Sequence, residues 1–240
     1  MRRVRRRTGP HLNTPAKAPI GTGGKATLGV FGGNFDPVHL GHLRLAEEAR
    51  VALGLSYVRW VPTGKPGHRG DAVAGQTDRL AMLRLALANH AGFVLDDGEF
   101  RIDGPTYTVN TLARIRREGS DGPLVLLIGA DQFLALETWK DWTHLLNLAH
   151  IGVAERPGHV IDVARLAPAL AKEWAARRSD SLPARPAGAI VRFSMTALDI
   201  SSTAIRGHIA AGRSARYLLP DAVWEYMISN KLYLNPQGAK

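Results

Sequence analysis

From residue 26 onward the chain alternates short apolar runs with longer stretches whose apolar residues recur every three or four positions. The runs at 27–31, 57–61, 93–95, 124–128, 151–154 and 190–193 are bounded by Gly, Pro or Asp and are too short for helices, so they predict strands. Between them, residues 40–53 carry Leu43, Ala46, Ala49 and Leu53 near helical spacing, and Leu80, Leu83 and Leu87 mark a helix that Thr77 can cap. Helices are also expected over 108–118 and 163–175. Further on, Ser201 or Ser202 can cap a short helix that stops at Gly212, and Asp221, after Pro220, can cap another running to about Asn230. Strands alternating with helices imply parallel pairing through crossover helices. The fold class expected is α/β: a Rossmann-like open parallel sheet with helices on both faces and a small C-terminal helical segment. In such sheets ligands bind outside the carboxyl ends of strands at a switch point, so the first strand and its turn should lie centrally.

The turn after that first strand carries the densest chemistry. Residues 28–42 read Leu-Gly-Val-Phe-Gly-Gly-Asn-Phe-Asp-Pro-Val-His-Leu-Gly-His. Gly32 and Gly33 let the backbone turn and come close to a ligand, and Pro37 stiffens the next segment of chain. His39 and His42, three residues apart, share one face of the helix that begins there. A helix N-terminus offers unpaired N–H groups and a partial positive charge, so two imidazoles there add donors to an anion site. The ligand this implies is a polyphosphate. Helix capping, core packing or metal ligation are the other uses of such a pair, and no further metal ligand is placed by motif.

Charge changes the picture less than its size suggests. The net charge is +10, but Arg2, Arg3, Arg5, Arg6, Arg7, Lys17 and Lys25 supply seven positive charges before the first acid, Asp36, leaving about +3 for the rest. Residues 1–25 also contain Gly9, Pro10, Pro15, Pro19, Gly21, Gly23 and Gly24, a composition expected to stay disordered, distinct from a folded domain over 26–240. A basic arm can touch nucleic acid or acidic lipid, yet the mildly basic body argues against a nucleic-acid-binding protein. No secretory signal is read in the tail, and no stretch of 18 apolar residues exists to span a membrane. The chain has no cysteine, which excludes disulfides, iron–sulfur clusters and thiolate zinc sites and fits a cytoplasmic enzyme. Nothing in the pattern sets an oligomeric state.

The 28–42 stretch resembles the HxGH signature of the nucleotidyltransferases, and Ile200-Ser201-Ser202-Thr203-Ala204-Ile205-Arg206 resembles the ISSTxIR motif of bacterial nicotinate-nucleotide adenylyltransferases. Pro105-Thr106-Tyr107-Thr108 and Ile128-Gly129-Ala130-Asp131, followed by Trp139, resemble two more segments of that family, and the likeness covers residues 28 to about 233. The resemblance implies an enzyme that transfers AMP from ATP to nicotinate mononucleotide, with His39, His42 and Arg206 catalytic. ATP would meet Gly32, Gly33, Phe35, His39, His42, Ser202, Thr203 and Arg206. The acceptor would meet Asn34, Lys65, His68, Arg69, Thr106, Tyr107, Thr108, Asp131, Trp139 and Arg156, with Trp139 stacked on the pyridine ring. A flat cationic ring suits an aromatic face, and a carboxylate accepts from N–H donors.

Magnesium is implied by polyphosphate chemistry, bound mainly through ATP because no acidic cage is visible, so no protein metal site is expected. Pantetheine phosphate and nicotinamide mononucleotide are the alternative acceptors. Three bland roles compete with these assignments. Trp139 and Trp142 fit one helix face with buried aromatics, Ser202 can be only a cap, and Asp36 can merely shape the loop. Where the family has Pro-Asn-x-x-Pro-Pro-His-Lys or a close variant, residues 62–69 read Pro-Thr-Gly-Lys-Pro-Gly-His-Arg. With Gly67 in place of proline, that loop is expected to be more mobile and its phosphate contacts to pass to Lys65, His68 or Arg69.

Overall fold

The computed structural model describes residues 26–66, 72–156 and 160–234. The basic tail, Gly67, His68 and Arg69 lie outside these residues. In chain order the elements are β1 (Leu28–Gly33), α1 (Leu40–Ala52), β2 (Tyr57–Pro62), β3 (Lys65–Pro66), α2 (Gln76–Leu87), β4 (Phe93–Leu95), β5 (Pro105–Thr106), α3 (Thr108–Arg117), β6 (Leu124–Gly129), α4 (Ala130–Leu134), α5 (Trp142–Leu148), β7 (His150–Glu155), α6 (Pro168–Arg177), β8 (Arg178–Ser179), β9 (Ile190–Ser194), α7 (Ser202–Ala210) and α8 (Asp221–Ser229).

Seven strands form one sheet in the order β4-β2-β1-β6-β7-β9-β8, every neighbouring pair parallel. The chain winds outward from β1 through β2 to β4, then returns to β6 on the other side of β1 and winds the opposite way. The switch point therefore falls between β1 and β6. Apolar runs such as Leu124–Gly129 are buried on both faces because helices cover both. One core layer packs Phe31, Val58 and Trp60 of the sheet with Ala46 and Ala49 of α1, Met82 of α2, Ile205 of α7 and Val223 of α8. The other packs Leu28, Leu126 and Ile151 with Leu112 of α3, Phe133 of α4, Leu145 of α5 and Leu170 of α6. The architecture is a three-layer, Rossmann-like α/β fold.

Local chemistry moves several boundaries. The helix expected over 163–175 is split into a single 3-10 turn, Val163–Arg165, and α6. Pro168 explains it: proline lacks an N–H, suits the first helical position and holds Ala167 extended (φ −61°, ψ 150°). Ser201 is the cap of α7, its Oγ accepting from the Ala204 N–H at 3.1 Å. Gly75, rather than Thr77, stands at the cap of α2, and Pro220 at that of α8. Strands β3 and β5 form a two-residue parallel pair that the apolar pattern is too short to announce.

Candidate functional site

The turn leaving β1 is built on aromatic packing. Phe35 adopts a left-handed backbone (φ 48°) that side-chain-bearing residues rarely take, and its ring is 1% exposed. That ring lies 5.4 Å from Phe31, 5.2 Å from Trp60 and 5.1 Å from the imidazole of His42, so the loop is held from beneath. His39 is the residue before α1 and His42 lies in its first turn; their rings stack at 3.7 Å. The His39 N–H donates to Nδ1 of His42 at 3.3 Å, which leaves a neutral His42 carrying its proton on Nε2. Burial holds His39 down at about 4, and burial together with its neighbour pulls His42 well below the ordinary imidazole value. Nδ1 of His39 is buried without a hydrogen-bond partner among the described residues. The helix start is less open than expected, because the Leu40 N–H already donates to the Leu218 carbonyl at 3.0 Å.

Two cavities meet at the switch point. The larger, about 340 Å³, is lined by Gly32, Gly33, Asn34, Phe35, His39 and His42 from the β1–α1 side, with Asp131, Arg156 and Ser202 facing them. The smaller, about 70 Å³, is lined by Thr63, Glu99, Thr106, Thr108, Thr111 and Trp139. Gly32, Gly33, Asn34 and Gln132 line both and form the partition.

The late motif reaches the early loop. Ser202 Oγ donates to the Pro37 carbonyl at 2.9 Å, and Arg206 Nη1 donates to the Asp36 carbonyl at 2.7 Å. Arg206 Nη2 also contacts Thr203 Oγ1 at 3.3 Å. Not every expected residue faces a cavity. Arg206, Thr203, Lys65 and Tyr107 lie outside both linings: Lys65 presents its carbonyl to Thr106 Oγ1, and the Tyr107 ring sits 4.5 Å from Lys140 Nζ. Trp139 and Trp142 do not share a helix face. Trp139 follows a 3-10 turn, while Trp142 opens α5 after Asp141, a left-handed residue (φ 50°).

Three buried charged residues brace the site: Glu99 and Arg79 belong to no motif in the sequence, and Asp36 lies within the 28–42 stretch. Glu99 accepts from the Gly64 N–H at 3.2 Å and from Thr111 Oγ1 at 2.5 Å. Arg79, 2% exposed, donates to the carbonyls of Asn34 (3.0 Å) and Thr63 (2.9 Å). Asp36 accepts from the N–H groups of Val73 (2.6 Å) and Ala74 (3.1 Å) and from Tyr233 Oη (2.6 Å). A charged residue within an apolar helical face, as Arg79 is beside Leu80, Met82 and Leu83, was the available signal for that one. Glu99 and Tyr233 sit in polar, irregular stretches and carried none. Among the described residues no group of three or more His, Cys, Asp or Glu is placed to hold a metal ion, and no helix is long and apolar enough to cross a membrane.

A family model described as cytidylyltransferase-like matches residues 30–208. A Dechloromonas aromatica protein named "Probable nicotinate-nucleotide adenylyltransferase" is 51% identical over 212 residues, covering 87% of this chain and 98% of that one. One of the same name from Laribacter hongkongensis is 47% identical, covering 90% and 98%. Among solved structures, a Plasmodium falciparum nicotinic acid mononucleotide adenylyltransferase complexed with NaAD superposes with a TM-score of 0.67 over 87% of this chain and 97% of that one. Its sequence identity is 15%, so it speaks to the fold.

Proposed function

From the chain's membership of the nicotinate-nucleotide adenylyltransferase family, we propose that it transfers the adenylyl group of ATP to nicotinate mononucleotide, releasing pyrophosphate and forming the deamido dinucleotide of NAD synthesis. The observation that carries this reading is the pair of cavities divided by one backbone-rich partition at the switch point: one has room and donors for a triphosphate, the other an aromatic wall sized for a single ring.

The acceptor phosphate supplies its own nucleophile, attacking the α-phosphorus in line while pyrophosphate leaves, so the protein's task is placement and charge stabilisation. His39 and His42 enter as neutral donors beside the α- and β-phosphates. Arg206 and Ser202, tied to the carbonyls of the early loop, and Thr203, whose hydroxyl contacts Arg206, hold the departing pyrophosphate. Trp139 stacks on the pyridine ring, Thr106 to Thr108 offer backbone N–H groups to its carboxylate, and Asp131, Asn34 and Arg156 meet the rest of the acceptor. Lys65, His68 and Arg69 serve its phosphate.

The donor set fits magnesium arriving on ATP rather than caged by protein, because the larger cavity offers one carboxylate, Asp131, beside its imidazoles. Bound that way, the ion neutralises phosphate charge. The test is ATP-dependent pyrophosphate release with nicotinate mononucleotide, compared with nicotinamide mononucleotide and pantetheine phosphate. No turnover with the first acceptor overturns the proposal, and a preference for either of the others reassigns the substrate.

A further inference from the structure

Beyond α8 the chain bends back through two left-handed residues, Lys231 (φ 54°) and Tyr233 (φ 61°), a conformation that costs free energy for residues with side chains. The bend delivers the Tyr233 hydroxyl to Oδ1 of Asp36 at 2.6 Å. Asp36 is 3% exposed and lies three residues before His39. Its carboxylate also takes the N–H groups of Val73 and Ala74, in the segment that rejoins the acceptor-side loop to α2. Its carbonyl takes Arg206, whose Nη1 is in turn 3.9 Å from Oδ2. One buried carboxylate thus links the histidine loop, the acceptor-side segment, α7 and the C-terminal segment. Asp36 and Tyr233 line neither of the two cavities.

We infer that Tyr233 and Asp36 are positioning residues for the transfer reaction, a clasp through which the C-terminal segment sets the relative placement of the triphosphate and acceptor halves of the site. The inference rests on the adenylyl-transfer reading. Holding α8 in place does not require Tyr233: Val223 and Met227 are fully buried in the core, and Tyr226 already bonds Asp78 of α2 at 2.9 Å. The Tyr233 bond leads only to the loop that carries the histidines.

Tyr233→Phe keeps the ring and removes the bond; Tyr226→Phe removes a comparable tyrosine–carboxylate bond away from the site. With ATP and nicotinate mononucleotide, Tyr233→Phe should lower kcat about tenfold while the KM for ATP stays within about twofold, the size and pattern of one lost charged hydrogen bond felt in the transition state. Tyr226→Phe should keep the parental kcat even where its Tm falls. Because Tyr233 acts through the Asp36 carboxylate, Tyr233→Phe combined with Asp36→Ala, which leaves the hydroxyl no acceptor at that position, should be no slower than Asp36→Ala alone. Parental kcat in Tyr233→Phe, or losses that multiply in the double variant, would overturn the clasp. A parent protein inactive with nicotinate mononucleotide would instead sink the proposed acceptor, and the same kcat comparison then runs with the acceptor it does use.

Discussion

Burial holds the histidine pair neutral in the free protein, and a bound polyanion should work against it. In the free protein His39 titrates near 4 and His42 also lies below its ordinary value, whereas in the unfolded chain both titrate near 6.5. Between those values the unfolded state binds more protons, so this contribution to stability is complete above about pH 6.5 and is lost as pH falls through 4. Thermal unfolding of the ligand-free protein from pH 7 down to pH 4 should show a declining Tm. A triphosphate against the pair favours the charged imidazoles, so ATP binding near pH 6 should take up protons, seen as a calorimetric enthalpy that varies with buffer ionisation heat. His42→Ala should abolish most turnover, a loss of about 100-fold or more in kcat, with the far-ultraviolet spectrum unchanged; near-parental activity would remove the charge-stabilising role.

At the scale of elements, one cation ties together the turns that leave β1 and β2. Arg79 on α2 spans the carbonyls of Asn34 and Thr63, joining the ends of β1 and β2 at the partition. Arg79→Met fills the space but strands those carbonyls, and should cost roughly 3 kcal/mol, read in urea unfolding, while weakening acceptor binding more than ATP binding. The six strands of five or so buried or half-buried residues were legible because apolar runs broken by Gly and Pro have few other solutions, and the His and Ser-Ser-Thr segments because glycine turns and helix caps announce themselves. What was not legible depends on distant partners. Residues Lys65–Pro66 and Pro105–Thr106 become strands only by meeting each other, and α5 begins where Asp141 takes a left-handed turn that no apolar spacing encodes. Glu99 and Tyr233 are ordinary in sequence and become site-shaping through distant partners, Gly64 and Thr111 for the first and Asp36 for the second.

Across the whole molecule, the reversal of strand order between β1 and β6 places both cavities over the middle of the sheet, with a core layer on either side. Residues 1–25 hold seven of the positive charges. Deleting them should leave kcat and both KM values within about twofold while abolishing any salt-sensitive retention on RNA or DNA; lost turnover would instead tie the tail to catalysis. The partition has a consequence for how this protein tolerates change. A methyl built on Gly32 meets nothing nearer than the Val61 carbonyl at 3.9 Å, so the fold has room for alanine there. Gly32→Ala should melt like the parent yet bind ATP and acceptor at least tenfold more weakly, each measured by titration. That bare position is reserved for the guests, and a screen that scores only melting temperature would pass the variant as harmless.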